Sequence, residues 1–172
     1  MKKETTQKYI LRIALWGVLA AVVFLATQLK INTSIGYANL GDGFILASAF
    51  LLGPIAFFPA AIGSALADLF LGYANYVPAT FIIKGLMGLV AGLILKQKNV
   101  SRKKKFLAVF LSEAIMVSLY FGFEALPFMY GPAAATGSLL PNIFQGVVAM
   151  VLGFVFMEAL QRLKNRYYEK LH

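Results

Sequence analysis

The chain has 172 residues, of which 60% are hydrophobic and only 13% charged, a balance that excludes an ordinary water-soluble globular domain. Its net charge of +9 is not the footprint of a nucleic-acid binder, because the 16 lysines and arginines sit in clusters between long apolar runs. With no cysteine and a single histidine, His172, it offers no disulfide, no thiolate metal site and no histidine-based catalytic set.

The first apolar run covers 9–27, follows Lys2, Lys3 and Lys8, and reaches Gln28 without an A-x-A-like cleavage site. It reads as a retained first membrane helix. A second tract, 43–71, is too long for one ordinary span and contains Pro54 and Pro59. Three more apolar runs follow at 77–95, 106–126 and 139–160, with Pro127, Gly131, Pro132 and, just inside the last run, Pro141 marking the connection between the last two.

Basic residues fix the parity of these crossings, because lysine and arginine accumulate on the cytoplasmic side of short loops. Four lie at or before Arg12, six between Lys96 and Lys105, and four between Arg162 and Lys170, leaving only Lys30 and Lys84 elsewhere. A chain that starts inside and is inside again at Lys96 crosses an even number of times, so the 43–71 tract is expected to fold as a hairpin turning near 53–59. The predicted architecture is all-α: a single transmembrane domain, 1–172, of six helices at about 9–28, 42–54, 58–72, 77–96, 105–127 and 139–162, with both ends in the cytoplasm.

Ionisable groups inside membrane spans are costly and mark function when they face the bundle interior. Asp42, Asp68 and Lys84 are predicted at similar depth near the outer face, with Glu124 at the outer end of the fifth helix and Asn142 and Gln145 at the outer start of the sixth. Tyr120 and Glu124 are four residues apart, and Glu113 is seven before Tyr120, so the three share one helical stripe. The expected outer loops add Asn32, Tyr37, Asn39, Tyr73, Asn75, Tyr76 and Tyr130, groups able to stack on or hydrogen-bond a small ring. Each has a plainer alternative. Asp68 and Lys84 suit a structural ion pair between the third and fourth helices, Asp42 suits a helix cap, and the tyrosines suit an interfacial aromatic belt.

Small residues recur at four-residue spacing on several helices: Gly17 with Ala21, Gly63 with Ala67, Gly88 with Gly92, and Ala149 with Gly153. Such spacing allows close packing, within the bundle or against another membrane subunit. No glycine is followed by lysine, which excludes a G-x-x-x-x-G-K-[ST] phosphate loop. H-E-x-x-H and inverted half-repeats are also missing. A small membrane chain with an outward polar site and no ATP-binding motif reads as a binding subunit.

The segment from Tyr37 to Lys84 carries Tyr-Ala-Asn-Leu-Gly-Asp-Gly, Leu-Leu-Gly-Pro, Gly-Ser-Ala-Leu-Ala-Asp-Leu-Phe-Leu-Gly-Tyr and Pro-Ala-Thr-Phe-Ile-Ile-Lys-Gly-Leu-Met-Gly. With the six-helix layout, it resembles the substrate-binding S components of energy-coupling factor (ECF) vitamin transporters, most closely the hydroxymethylpyrimidine or pyridoxine type. The resemblance implies capture of a vitamin at the outer face of a bacterial cell membrane, then docking on a transmembrane coupling (T) subunit driven by two ATPases (A and A′). It implies no catalytic residue, no metal and no cofactor of the chain's own, since ATP is used by the partners. On this reading Tyr37, Asn39, Asp42, Tyr76, Lys84, Tyr120, Glu124, Asn142 and Gln145 are the vitamin-binding candidates, with Phe128 a further aromatic, and the 37–43 loop is a gate. Ala14, Gly17 and Ala21 are the docking candidates. The competing expectations are a membrane enzyme using Asp42, Asp68 and Glu124 on a lipid or prenyl substrate, and a stand-alone facilitator.

Overall fold

The computed structural model describes residues 2–171. In chain order it has α1 (Lys2–Gln28), a two-stranded antiparallel hairpin of β1 (Lys30–Asn32) and β2 (Tyr37–Asn39), α2 (Gly41–Leu52), α3 (Phe57–Phe70), α4 (Val77–Leu95), α5 (Arg102–Glu124), α6 (Gly131–Ala159) and α7 (Gln161–Leu171). Short 3₁₀ turns at Gly53–Ala56 and Ala74–Tyr76 join α2 to α3 and α3 to α4. Among the described residues, five segments are long and apolar enough to cross a membrane: Tyr9–Gln28, Gly41–Phe70, Ala74–Leu95, Arg102–Glu124 and Gly131–Ala159. The protein is an all-α, multi-pass membrane protein.

The Gly41–Phe70 segment is not one rod. Asp42 at the start of α2 meets Lys84, whereas Gly53 just past its end meets Gly92, so α2 runs alongside α4 in the same direction. In α3 the order is reversed, with Ala56 against Gly88 near its start and Asp68 level with Thr80 near its end. The reversal occurs in the Gly53–Ala56 turn, where Gly53 has a φ of 66° that L-residues with side chains seldom adopt. Pro59, expected in the turn, already lies inside α3. α1 wedges beside this pair and runs with α3: Trp16 stacks on Phe58 and Phe24 meets Phe70 edge-on.

Close backbone approach sets the spacing of these helices. A Cβ placed on Gly92 would lie 2.1 Å from the carbonyl oxygen of Gly53, and one on Gly63 would lie 2.5 Å from that of Ala20, so both positions exclude any larger residue without backbone movement. The apolar core has two parts. One, around Phe50, Leu95, Val109 and Met157, fills the end of the bundle where α2 and α4 finish. The other, around Val23, Ile45, Met87 and Met116, lies beneath the polar site.

Three boundaries depart from expectation. α1 starts at Lys2, ahead of the apolar run. α5 covers 102–124, shifted three residues earlier, because the Ser101 hydroxyl caps it by accepting from the Lys104 amide. α6 begins at Gly131, eight residues before the predicted start. Gly131 with φ 78° and Pro132 in the first turn begin this helix, where a missing amide hydrogen costs nothing. Pro141, which reads as a connection in the sequence, sits inside α6 and leaves the Gly137 carbonyl without its usual intrahelical donor.

Candidate functional site

At the end of the bundle where α1 finishes and α2 begins, the β1–β2 hairpin folds over a small cavity of about 30 Å³ framed by α1, α3, α4, α5 and α6. Its polar lining is held in place by three sets of contacts.

The innermost is a buried ion pair. Lys84 Nζ donates to Asp42 Oδ1 at 2.5 Å, with both residues almost fully buried. The second carboxylate oxygen of Asp42 accepts from Gln145 Nε2, and Gln145 Oε1 in turn accepts from the Asn39 amide at 2.7 Å. Asn39 Oδ1 accepts from the Gly41 amide at 2.8 Å, which turns the chain from β2 into α2. One chain of contacts therefore runs from α4 through α2 and α6 to the hairpin. Charge neutralisation inside a low-dielectric bundle makes this arrangement tolerable, provided every partner stays in place.

The second set is aromatic. Tyr37, Tyr73, Tyr76 and Tyr120 form a run of tilted and edge-on rings with successive centroids 4.9 to 6.4 Å apart. Lys30 Nζ lies 5.2 Å from the Tyr37 ring centroid and 5.0 Å from that of Tyr73, a cation–π contact that ties β1 to the α3–α4 connection. Lys84 Nζ lies 5.3 Å from the Tyr120 ring.

The third set fastens the tyrosine hydroxyls. Tyr37 donates to Asp68 Oδ1, Tyr76 donates to Glu124 Oε1 at 3.0 Å, and Thr80 and Tyr120 share a hydrogen bond of 2.8 Å. Burial, reinforced by the adjacent Asp68 carboxylate, pushes the Tyr37 phenol well above its ordinary range, so it stays protonated and remains a donor.

After these bonds are formed, four buried polar atoms on the cavity wall still lack a partner: Ser64 Oγ, Asp68 Oδ2, Glu124 Oε2 and Asn142 Nδ2. Thr80 and Ser138 carry the hydroxyls beside the Asp68 and Glu124 carboxylates, and each has a second contact, Thr80 with Tyr120 and Ser138 with the Ala135 carbonyl. Buried polar atoms are almost always paired, so these four, on α3, α5 and α6 around one cavity, are candidates to meet polar groups of a ligand.

Of the vitamin-binding candidates, Tyr37, Asn39, Tyr76, Lys84, Tyr120, Glu124, Asn142 and Gln145 all line this cavity, and Asp42 does not. Asp42 stands behind the wall, where it holds Lys84 and Gln145; it makes no side-chain cap bond to α2. The expected Asp68–Lys84 ion pair is corrected: Lys84 pairs with Asp42, and Asp68 receives Tyr37 and turns its other oxygen to the cavity. Phe128 is 75% exposed and lies away from the cavity lining. Tyr73, one of the loop groups expected to meet a small ring, lines the cavity as well, and Thr27, Ser64 and Thr80 line it without being among the sequence candidates. Ser64 with Asp68, and Thr80 with Lys84, are four residues apart on one helix face, a polar spacing inside apolar runs that the sequence does display. Ala14, Gly17 and Ala21 lie on the exposed face of α1, and a Cβ added to Gly17 would meet nothing within 4 Å.

Residues 7–162 match a family model described as ECF-type riboflavin transporter, S component. An uncharacterized protein in the gap 3' region of Pyrococcus woesei is 32% identical over 133 residues, covering 77% of this chain and 87% of that protein. The thiamine precursor transporter HmpT of Lactococcus lactis subsp. cremoris (strain MG1363) is 32% identical over 157 residues, covering 90% of this chain and 89% of that protein.

Proposed function

This chain belongs to the family of S components of ECF-type transporters, and we propose that its cavity captures a single-ring, water-soluble vitamin or vitamin precursor of the hydroxymethylpyrimidine or pyridoxine kind. The observation that carries this reading is the set of four unpartnered buried atoms beside a tyrosine wall. Two carboxylate oxygens and a hydroxyl suit ring-borne amino or hydroxyl donors, the Asn142 amide suits a ring nitrogen or alcohol oxygen, and the tyrosines suit the flat face. The relative named as a thiamine precursor transporter, aligned over most of both chains, supports the same substrate class.

In this proposal the subunit crosses the cell membrane six times with both ends inside. The antiparallel courses of α2 and α3 supply the even crossing number, and the basic clusters supply the orientation. The β1–β2 hairpin is the outer gate. The exposed small-residue face of α1 docks on the coupling (T) subunit, whose two ATPases drive the tipping that presents the loaded site inward. Both alternatives, an enzyme acting on a lipid and a stand-alone facilitator, lack the support of any named relative.

Calorimetry on the purified chain with pyridoxine, hydroxymethylpyrimidine, thiamine and riboflavin decides the ligand. Binding of one of the first two, with riboflavin inert, is expected. Saturable riboflavin binding with both single-ring compounds silent would assign the substrate named in the family description instead. Uptake into vesicles that requires the T and ATPase subunits is expected as well, and transport by the isolated chain overturns the S-component mechanism.

A further inference from the structure

One carboxyl stands apart from the vitamin cavity. Glu113 is the middle residue of the 23-residue α5; the helix opens on Arg102, Lys103, Lys104 and Lys105, and at about 1.5 Å per residue Glu113 lies about 12 Å beyond Lys105, inside the apolar part of the span. It is 4% exposed, and neither carboxyl oxygen has a hydrogen-bond partner. The charges nearest to it, Lys84 and Asp42, are bonded to each other. Its side chain lies across Gly146 of α6, where an added Cβ would sit 3.5 Å from Oε2.

Beside this carboxyl, between α5 and α6, opens a groove of about 280 Å³ that includes Glu113 and is otherwise almost wholly apolar, with Phe110, Val117, Ile143 and Val147 along it. Phe110, Ile143 and Val147 are each at least half exposed, so the groove faces lipid. Acyl chains fill such a space but offer the carboxyl nothing, and the amine and phosphate groups of lipids stay at the interface, about 12 Å away. An unpaired acid at that depth is expensive. A compact apolar molecule carrying a basic nitrogen matches both features, since nitrogen accepts from the protonated acid and its conjugate ammonium donates to the carboxylate. We propose that the α5–α6 groove is a second, membrane-facing ligand site that takes a compact lipophilic amine and anchors it on Glu113.

The probe is dicyclohexylcarbodiimide, applied to the full chain in liposomes and followed by peptide mass spectrometry. A carboxyl oxygen adds to the central carbon of the carbodiimide, its proton passes to one nitrogen, and the O-acylisourea rearranges to a stable N-acylurea with no atom lost. The expected result is an adduct on Glu113 whose formation is slowed roughly tenfold by near-saturating dicyclohexylamine and unaffected by bicyclohexyl, which has the shape without the nitrogen. Val147→Trp, which fills the groove, should slow labelling as well. Glu113→Gln should lack the adduct while still binding the vitamin, showing that the fold is intact. The proposal is overturned by an unlabelled Glu113, by labelling at the same rate with the amine present, or by equal protection from bicyclohexyl, which would make the groove an apolar crevice without an anchor.

Discussion

Lys84 of α4 and Asp42 of α2 are joined at 2.5 Å in the interior of the bundle, and the ion pair holds up one wall of the cavity without offering Asp42 to it. Removing one partner strands the other charge where water does not reach. Asp42→Asn or Lys84→Met alone should each cost about 3–5 kcal/mol and lower the melting temperature in detergent sharply. The double variant should recover most of that loss. Equal melting points for wild type and either single variant would show that the pair is not formed in the folded protein.

Asn142 and Gln145 are one turn apart on α6 and have different duties. Asn142 leaves its Nδ2 unpartnered at the cavity, so Asn142→Ala should weaken vitamin binding about tenfold, roughly 1.4 kcal/mol, with little change in melting temperature. Gln145 is bonded to both Asp42 and Asn39, so Gln145→Ala should lower affinity and stability together. Calorimetry and thermal unfolding on the same preparations separate the two effects.

Tyr37 fastens the hairpin to Asp68. Tyr37→Phe removes that clasp, and stopped-flow measurement should show faster vitamin association and faster dissociation. The hydroxyl also predicts a pH dependence. Its folded-state pKa is raised by burial above the unfolded value of about 10, so the folded protein keeps a proton that the unfolded chain gives up. Its stabilising contribution is fully present below about pH 10 and is lost as pH rises beyond it. Wild type should therefore lose stability more steeply than Tyr37→Phe in that alkaline range.

Two glycines that look alike in sequence should behave differently. Gly92→Ala forces a methyl group into the Gly53 backbone and should destabilise the bundle by about 1–3 kcal/mol. Gly17→Leu meets open space and should leave melting temperature and vitamin affinity unchanged while impairing co-purification with the T subunit. Normal complex formation by Gly17→Leu would move the docking face off this part of α1.

Much of the bundle is legible from hydrophobic runs and lysine positions, because the bilayer permits few ways to satisfy a backbone. That constraint makes the 43–71 tract readable as a reversal and brings Asp42 and Lys84 to one level. Pair identities are less legible. Asp68 and Asp42 are both candidates for Lys84 by depth, and the choice depends on helix rotation, which neither hydropathy nor spacing records. The start of α6 is obscured for another reason: Pro141 reads locally as a stop, yet a helix packed in a bundle keeps a proline in its interior. The β1–β2 hairpin has strands of only three residues each, too short to leave an alternating pattern.

The contacts linking Asn39, Gln145, Asp42 and Lys84 use those side chains on one another, whereas Ser64, Asp68, Glu124 and Asn142 each keep an atom in reserve. On the proposed reading, the residues that hold the charge pair differ from those that meet the ligand, although Asp68 and Glu124 also fasten Tyr37 and Tyr76. A lineage exchanging one nutrient for another has four positions to vary, on α3, α5 and α6, before it disturbs the charge pair that holds the helices in register. Change of diet and preservation of the fold are, in this bundle, nearly independent problems.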